Sequence, residues 1–130
     1  MARIEARLGR LTPYALAALR IMTALLYLQH GLTKAIGFPG PAPKGGLHIA
    51  SLAGLAMLLE TIGSALLLVG FQTRLVAFLL SGEMAVAYFR SHAPRNFYPL
   101  LNGGEPAILF CFIFLYIACA GGGAWTADRR

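Results

Sequence analysis

Four long apolar runs, each close to the length that crosses a bilayer as a helix, alternate with short polar or Gly/Pro-rich breaks. The first begins at Pro13, preceded by Thr12 as a candidate cap, and continues to Ile36, where Gly37 and Pro39 stop it. The segment Phe38 to Gly46 (FPGPAPKGG) cannot hold a regular element, so the second helix is expected from Leu47 to Val69, closed by Gly70. Only Phe71 and Gln72 separate that glycine from Thr73, a candidate cap for a third helix reaching about Arg90, and so short a turn forces an antiparallel hairpin. The stretch Ser91 to Gly104 (SHAPRNFYPLLNGG) is polar, aromatic and carries two prolines, which predicts an ordered interfacial loop. A fourth helix then runs from Glu105 and Pro106 to Ala120, ending in Gly121, Gly122 and Gly123, with Trp125 suited to a membrane interface. The pattern predicts an all-α protein: one domain over residues 1–130, an antiparallel four-helix transmembrane bundle with one longer loop between helices three and four.

Composition strengthens the membrane reading. Hydrophobic residues make up 58% of the 130 and charged ones 12%, about half the share of a soluble domain, so the surface could not be wetted. The first run extends too far for a secretory h-region and lacks a small-residue cleavage pattern, so it is read as a retained span. The net charge of +6 does not point to nucleic acid, because the basic residues gather at span ends and tails, where anionic headgroups attract them. Four spans put both termini on one side, with six basic residues (Arg3, Arg7, Arg10, Arg74, Arg129, Arg130) against four opposite (Lys34, Lys44, Arg90, Arg95). That balance favours cytoplasmic termini. Cys111 and Cys119 lie more than two turns apart in the fourth run and read as small packing residues.

Three charges fall inside the runs, and each costs about 2.5–3.5 kcal/mol at mid-bilayer unless it is partnered. At 1.5 Å per residue, Arg20 lies roughly 11 Å, Glu83 roughly 14 Å and Glu60 roughly 15 Å from the face that holds the termini. That common level predicts that Arg20 bridges Glu60 and Glu83, as a structural triad or as a proton-carrying one. The first helix also carries Arg20, Thr23, Tyr27, His30 and Lys34 at steps of three and four, one face that should look inward. Its far end should meet Arg90, His92, Asn102 and Glu105 in a second polar cluster, bounding a pocket for a small polar headgroup such as a quinone or an acidic substrate. The alternative for Lys34, Arg90 and His92 is snorkelling to the interface. His30 could ligate haem, but a second inward histidine at matching depth is missing. No zinc spacing, phosphate loop, nucleophile elbow or dinucleotide fingerprint appears, so no catalytic residue is assigned, and no metal.

Read in order, LYLQHGLTKAIGF, LLETIGSALLLVGFQTR, NGGEPAIL and the closing GGGAWTAD resemble the DoxX family over nearly the whole chain. The positions that match its pattern are Arg20, His30, Gly31, Lys34, Glu60, Gly63, Gly70, Arg74, Asn102, Gly104 and Glu105, while the family's closing GPG is GGG here. The resemblance implies a small bacterial membrane protein of four spans in a quinol-oxidase or thiosulfate:quinone-oxidoreductase setting, with quinone as the implied cofactor. Three functions compete on these residues. One is a quinone-binding subunit or partner of a redox system, and another a small proton-coupled carrier in which Arg20, Glu60 and Glu83 relay protons. The third is a structural or assembly subunit docking on other membrane subunits, or on its own copies, through Phe110, Phe112, Phe114 and Tyr116. The narrow interior of four helices lowers the case for a carrier and raises that for partnership.

Overall fold

The computed structural model describes residues 1–43, 45, 48 and 50–128. Among the described residues all regular structure is helical: α1 (Ala2–Arg10), α2 (Thr12–Ile36), α3 (Leu52–Val69), α4 (Thr73–Ala87), a π-helical turn (Tyr88–His92), α5 (Pro99–Asn102) and α6 (Glu105–Ala120). The expected start of the second helix at Leu47 lies outside the described residues, as do the charges of Lys44, Arg129 and Arg130. The observed start is Leu52, where Ser51 accepts a hydrogen bond from the Gly54 amide at 3.1 Å and caps the helix.

Neither threonine expected as a cap performs that task. Thr12 and Thr73 are already the first residues of their helices, and the residue before each offers no side-chain capping bond. The free amides at the start of α4 are satisfied from far along the chain. Asp128 Oδ1 accepts from the Gln72 amide at 2.6 Å and Oδ2 from the Thr73 amide at 3.0 Å. Thr73, through its side chain first and its amide second, holds the half-buried Asp128 carboxyl below its ordinary value, helped by the Gln72 amide and the charge of Arg20 and opposed by burial.

The amino-terminal helix α1 has no counterpart in the four-run pattern, and none of its residues is buried. It breaks from α2 at Leu11 (φ −87°, ψ −8°), and Pro13 has no amide hydrogen to return to the Gly9 carbonyl.

The four longest helices pack with α2 on α3, α3 folded back on α4, and α4 on α6. Their shared core holds Ala24, Tyr27, Leu67, Ala77, Leu80, Phe114 and Ile117. Phe114, expected on the outer face of the fourth helix, is fully buried, and its ring meets Tyr27 edge-on at 4.9 Å. Phe110 also turns toward Tyr27 at 5.2 Å, so Phe112 and Tyr116 are what remains exposed of that four-residue stripe. The reason is period: residues two apart on a helix face about 200° away from each other, so four such aromatics cannot share a face.

Gly31 sets how closely α2 approaches α3. A methyl group there would stand 2.7 Å from the Thr61 amide nitrogen. Two helices, α2 and α3, are long and apolar enough to cross a membrane, and α6 is apolar but shorter.

Candidate functional site

Two basic side chains on α2, Arg20 and Lys34, stand fourteen residues apart, almost four whole turns, and therefore on one face. Helical side chains lean toward their own amino terminus. Arg20, near the start of α2, therefore leans out toward the end where the chain termini lie, while Lys34, near the finish, leans back between the helices. The two cations consequently meet different partners.

Arg20 is fully buried and meets backbone only. The segment after α6 folds back across the ends of α2 and α4. There Arg20 Nη1 donates to the carbonyls of Gly122 and, at 3.1 Å, Ala124, while Nη2 donates to Trp125 at 2.9 Å. Gly121 and Gly123 adopt φ of 85° and 75°, and a methyl on Gly122 would stand 3.0 Å from Arg20 Nη1. Three glycines thus let the carbonyls curl around one guanidinium. The Ala124 amide donates to the Pro13 carbonyl, the Ala127 amide to Val69 and the Asp128 amide to Gly70, at 2.9, 3.0 and 2.9 Å. Arg74 adds a bond from Nη1 to the Cys119 carbonyl at 2.6 Å. Arg20 therefore does not bridge Glu60 and Glu83. The three Cα atoms share a level by rise per residue, but a six-atom side chain carries its guanidinium well away from its own Cα.

At the opposite end Lys34 Nζ meets both oxygens of Glu60, at 2.7 and 2.6 Å. The glutamate side chain is 4% exposed and the lysine 31%. About two turns earlier on α2 the Tyr27 hydroxyl donates to Glu83 Oε1 at 2.9 Å, and Glu83 Oε2 is buried without a partner. Glu83 has no cation within ion-pair distance among the described residues. Lys34, Glu60, Glu83, Arg90 and Ser91 line a cleft of about 500 Å³ between α3 and α4, whose remaining walls are apolar, among them Leu55, Leu59, Leu79 and Val86. A larger recess of about 1000 Å³ borders the carboxy-terminal segment and is lined by Thr12, Gln72, Thr73, Arg74, Thr126 and Asp128, the last with both carboxylate oxygens taken up by the Gln72 and Thr73 amides.

The second predicted cluster does not meet as one site. Tyr27 and Lys34 join the carboxylates, and Arg90 stands exposed at the cleft. His92 and Asn102 instead tie the loop. His92 Nδ1 meets the Asn102 carbonyl at 3.1 Å, while Asn102 Nδ2 donates to Tyr88 Oη at 3.2 Å and to the Asn96 carbonyl at 2.9 Å. Asn102 Oδ1 also accepts from the Gly104 amide at 2.7 Å. His30 is exposed, its ring 5.9 Å from Tyr27 and 6.0 Å from Phe110, so it faces α6 and not the carboxylates. Steps of three and four drift around the helix, and by His30 the stripe has turned outward while Lys34 reaches back across. Glu105 is exposed in the first turn of α6, where its charge complements the helix amino terminus.

Asp128, Arg74 and Tyr88 belong to neither of the two polar clusters that the sequence predicts. Asp128 and Arg74 sit in the motifs GGGAWTAD and GFQTR, which two separate helix ends could have suggested as partners. Among the described residues no three histidine, cysteine or acidic side chains converge as metal ligands would.

Residues 15–93 match the DoxX family model, a span holding Arg20, Tyr27, Lys34, Glu60, Glu83 and Arg90. A Haemophilus influenzae protein, described only as uncharacterized, is 39% identical over 127 residues, covering 95% of this chain and 95% of its own. No solved structure matches. With the family match spanning more than half of its length, this chain belongs to the DoxX family, whose members are membrane-associated.

Proposed function

We propose that the chain crosses the bilayer four times, through α2, α3, α4 with its π-helical turn, and α6, and that the cleft between α3 and α4 takes a lipid-soluble molecule with a hydrogen-bonding head, of the quinone class. The inverted distribution of polarity supports the spans. Arg20, Glu60 and Asn102 are at most 3% exposed, while Met22, Ile62, Phe78 and Phe112 are each more than half exposed. At 1.5 Å per residue α6 extends about 24 Å, short of the roughly 30 Å hydrocarbon core, a deficit that local thinning accommodates. An even number of spans leaves both termini on one side, which the basic residues of α1 make cytoplasmic, in a bacterial inner membrane. The outward face of α6, with Phe112 and Tyr116, is then open to lipid, to other membrane subunits or to another copy.

One observation carries the ligand reading: Glu83, whose Oε2 is buried without a hydrogen-bond partner, lines an apolar cleft that also holds an ion pair. The volume lies within the usual range of small-molecule sites. A quinone supplies reversible redox chemistry and needs what these residues provide. Leu55, Leu59, Leu79 and Val86 would pack the ring and the first part of its tail. Glu83 Oε2 is the atom that would bond the head and hold or release a proton, while Tyr27 fixes the carboxyl orientation through Oε1. Lys34, with two of its N–H donors on Glu60, offers the third to a second head oxygen.

Titration of the protein in nanodiscs with a short-tailed quinone tests this. Saturable binding is expected, weakened about tenfold or more by Glu83→Leu, because a hydrogen bond to a carboxylate contributes about 1.5–3 kcal/mol. Glu105→Gln, outside the cleft, should leave it unchanged. Failure to saturate, or equal affinity in the Glu83 variant, overturns the reading.

A further inference from the structure

The helix α1 is used by neither the fold core nor the cleft. Its apolar side chains stand at Met1, Ile4, Leu8 and Leu11, steps of three, four and three, a continuous stripe. All four are exposed, by 89, 58, 60 and 56%. Arg3, Arg7 and Arg10 form a second stripe directly beside the first, against the single acid Glu5. A nine-residue helix with one bare apolar stripe gains nothing from standing in water.

Its position limits what can cover that stripe. The helix meets α2 at Leu11, with Pro13 loosening the joint. Just inside, Tyr14 and Trp125, both at least half exposed, pack at 5.4 Å between ring centroids, a pair suited to headgroup level. Whatever lies against α1 must therefore be found where the proposed span leaves the bilayer, and it must accept three guanidinium groups as well as four apolar side chains. An anionic membrane surface does both. Acyl chains take the stripe while the arginines reach sideways to phosphate.

We infer that α1 is an interfacial anchor that lies on the anionic leaflet around the mouth of the protein, its Met1, Ile4, Leu8 and Leu11 stripe sunk among acyl chains and its three arginines on lipid phosphates. Anchored so, α1 draws the joint at Pro13, and with it the Ala124 amide held by the Pro13 carbonyl, against the membrane surface.

The experiment uses the full chain carrying Trp125→Phe, so that one introduced tryptophan reports. Leu8→Trp places the probe on the stripe, and Ala6→Trp places it on the opposite side of the same helix. Each is reconstituted in phosphatidylcholine vesicles and in vesicles with one quarter phosphatidylglycerol, with and without lipids brominated near the headgroup end of their chains. The expected result is blue-shifted, strongly quenched emission from position 8 in the anionic vesicles, and water-like, weakly quenched emission from position 6. Replacing Arg3, Arg7 and Arg10 with Gln should lower the inserted-to-free ratio of α1 about fivefold per arginine in the anionic vesicles. Water-like emission from both positions overturns the inference, as does quenching indifferent to lipid charge and to the arginines. Burial of position 8 that appears only when a second protein is added assigns the stripe to a protein partner and overturns it too. A chain that fails to enter vesicles would instead count against the four-span reading, so the two outcomes are separable.

Discussion

The two ends of α2 present the same chemistry and put it to different uses. At the carboxy-terminal end of the chain, three backbone carbonyls take the Arg20 Nη atoms and neighbouring amide bonds stitch residues 124–128 to α2, α3 and the start of α4, while Arg20 Nε and Thr73 Oγ1 are left without a hydrogen bond of regular geometry. At the other end, Lys34 meets a carboxylate from one side only, and the adjacent Glu83 has one oxygen bonded and one not. A buried polar network that is nearly closed fixes one structure, whereas one left open beside a cleft can still take a ligand. The proposed division of labour rests on this difference, with stability at the Arg20 end and recognition at the Lys34 end.

The largest expected effect comes from opening the closed end. Arg20→Leu leaves three carbonyls and a folded-back segment without their donor and should cost about 3 kcal/mol or more. That loss is read as a lowered thermal midpoint in detergent, with the segment after residue 120 becoming sensitive to protease. A variant as stable as its parent would erase the contrast between the two ends. Next is Gly31→Ala, whose methyl would strike the Thr61 backbone and push α2 from α3. Overpacking of this kind costs about 1–3 kcal/mol. It should also weaken quinone binding, since Lys34 and Glu60 ride on the separated helices.

The ion pair gives a sharper comparison with a smaller stability effect. Glu60→Gln leaves the half-exposed Lys34 with a weaker acceptor and should cost about 1 kcal/mol, while the paired change Lys34→Met with Glu60→Met should recover most of that stability. Binding should fall in both variants. Recovery of binding along with stability would make the pair a packing device, like the Arg20 clasp. Smallest is Asp128→Asn, which weakens a helix cap and should cost about 1 kcal/mol or less at neutral pH. The folded carboxyl of Asp128 sits below its ordinary 3.8, so its contribution is complete above that value and fades as pH falls through it toward the lowered one. The gap in thermal midpoint between parent and variant should therefore narrow as pH is taken below 3.8, and a gap that stays constant from about pH 7 down through that value would exclude the carboxylate as the cap.

Helices were more legible than contacts, for reasons visible in particular residues. Apolar runs bounded by Gly37, Gly70 and the 121–123 glycines mark the ends of α2, α3 and α6, because hydrophobic length and glycine punctuation are local signals. The stripe Met1, Ile4, Leu8 and Leu11 was equally local, but at barely three turns and interrupted by arginines it falls below the length at which a run stands out. Which polar groups meet is not local. Arg20 and Lys34 are both basic and share a face, and only the lean of the side chains and the path of residues 121–128 decide that one binds carbonyls and the other Glu60. Asp128 caps a helix 55 positions earlier in the chain, beyond the reach of any capping rule read from neighbours.

The cleft itself can be tested without any variant. A photoreactive short-tailed quinone, activated on the protein in nanodiscs and mapped by peptide mass spectrometry, should label α3 near Leu55 and Leu59 and the α4 segment from Leu79 to Arg90, with excess unmodified quinone abolishing the label. Labelling confined to the α2 and α6 face around His30 and Phe110 or to the segment after Ala120, or labelling that excess quinone does not displace, would contradict the assignment of recognition to the Lys34 end.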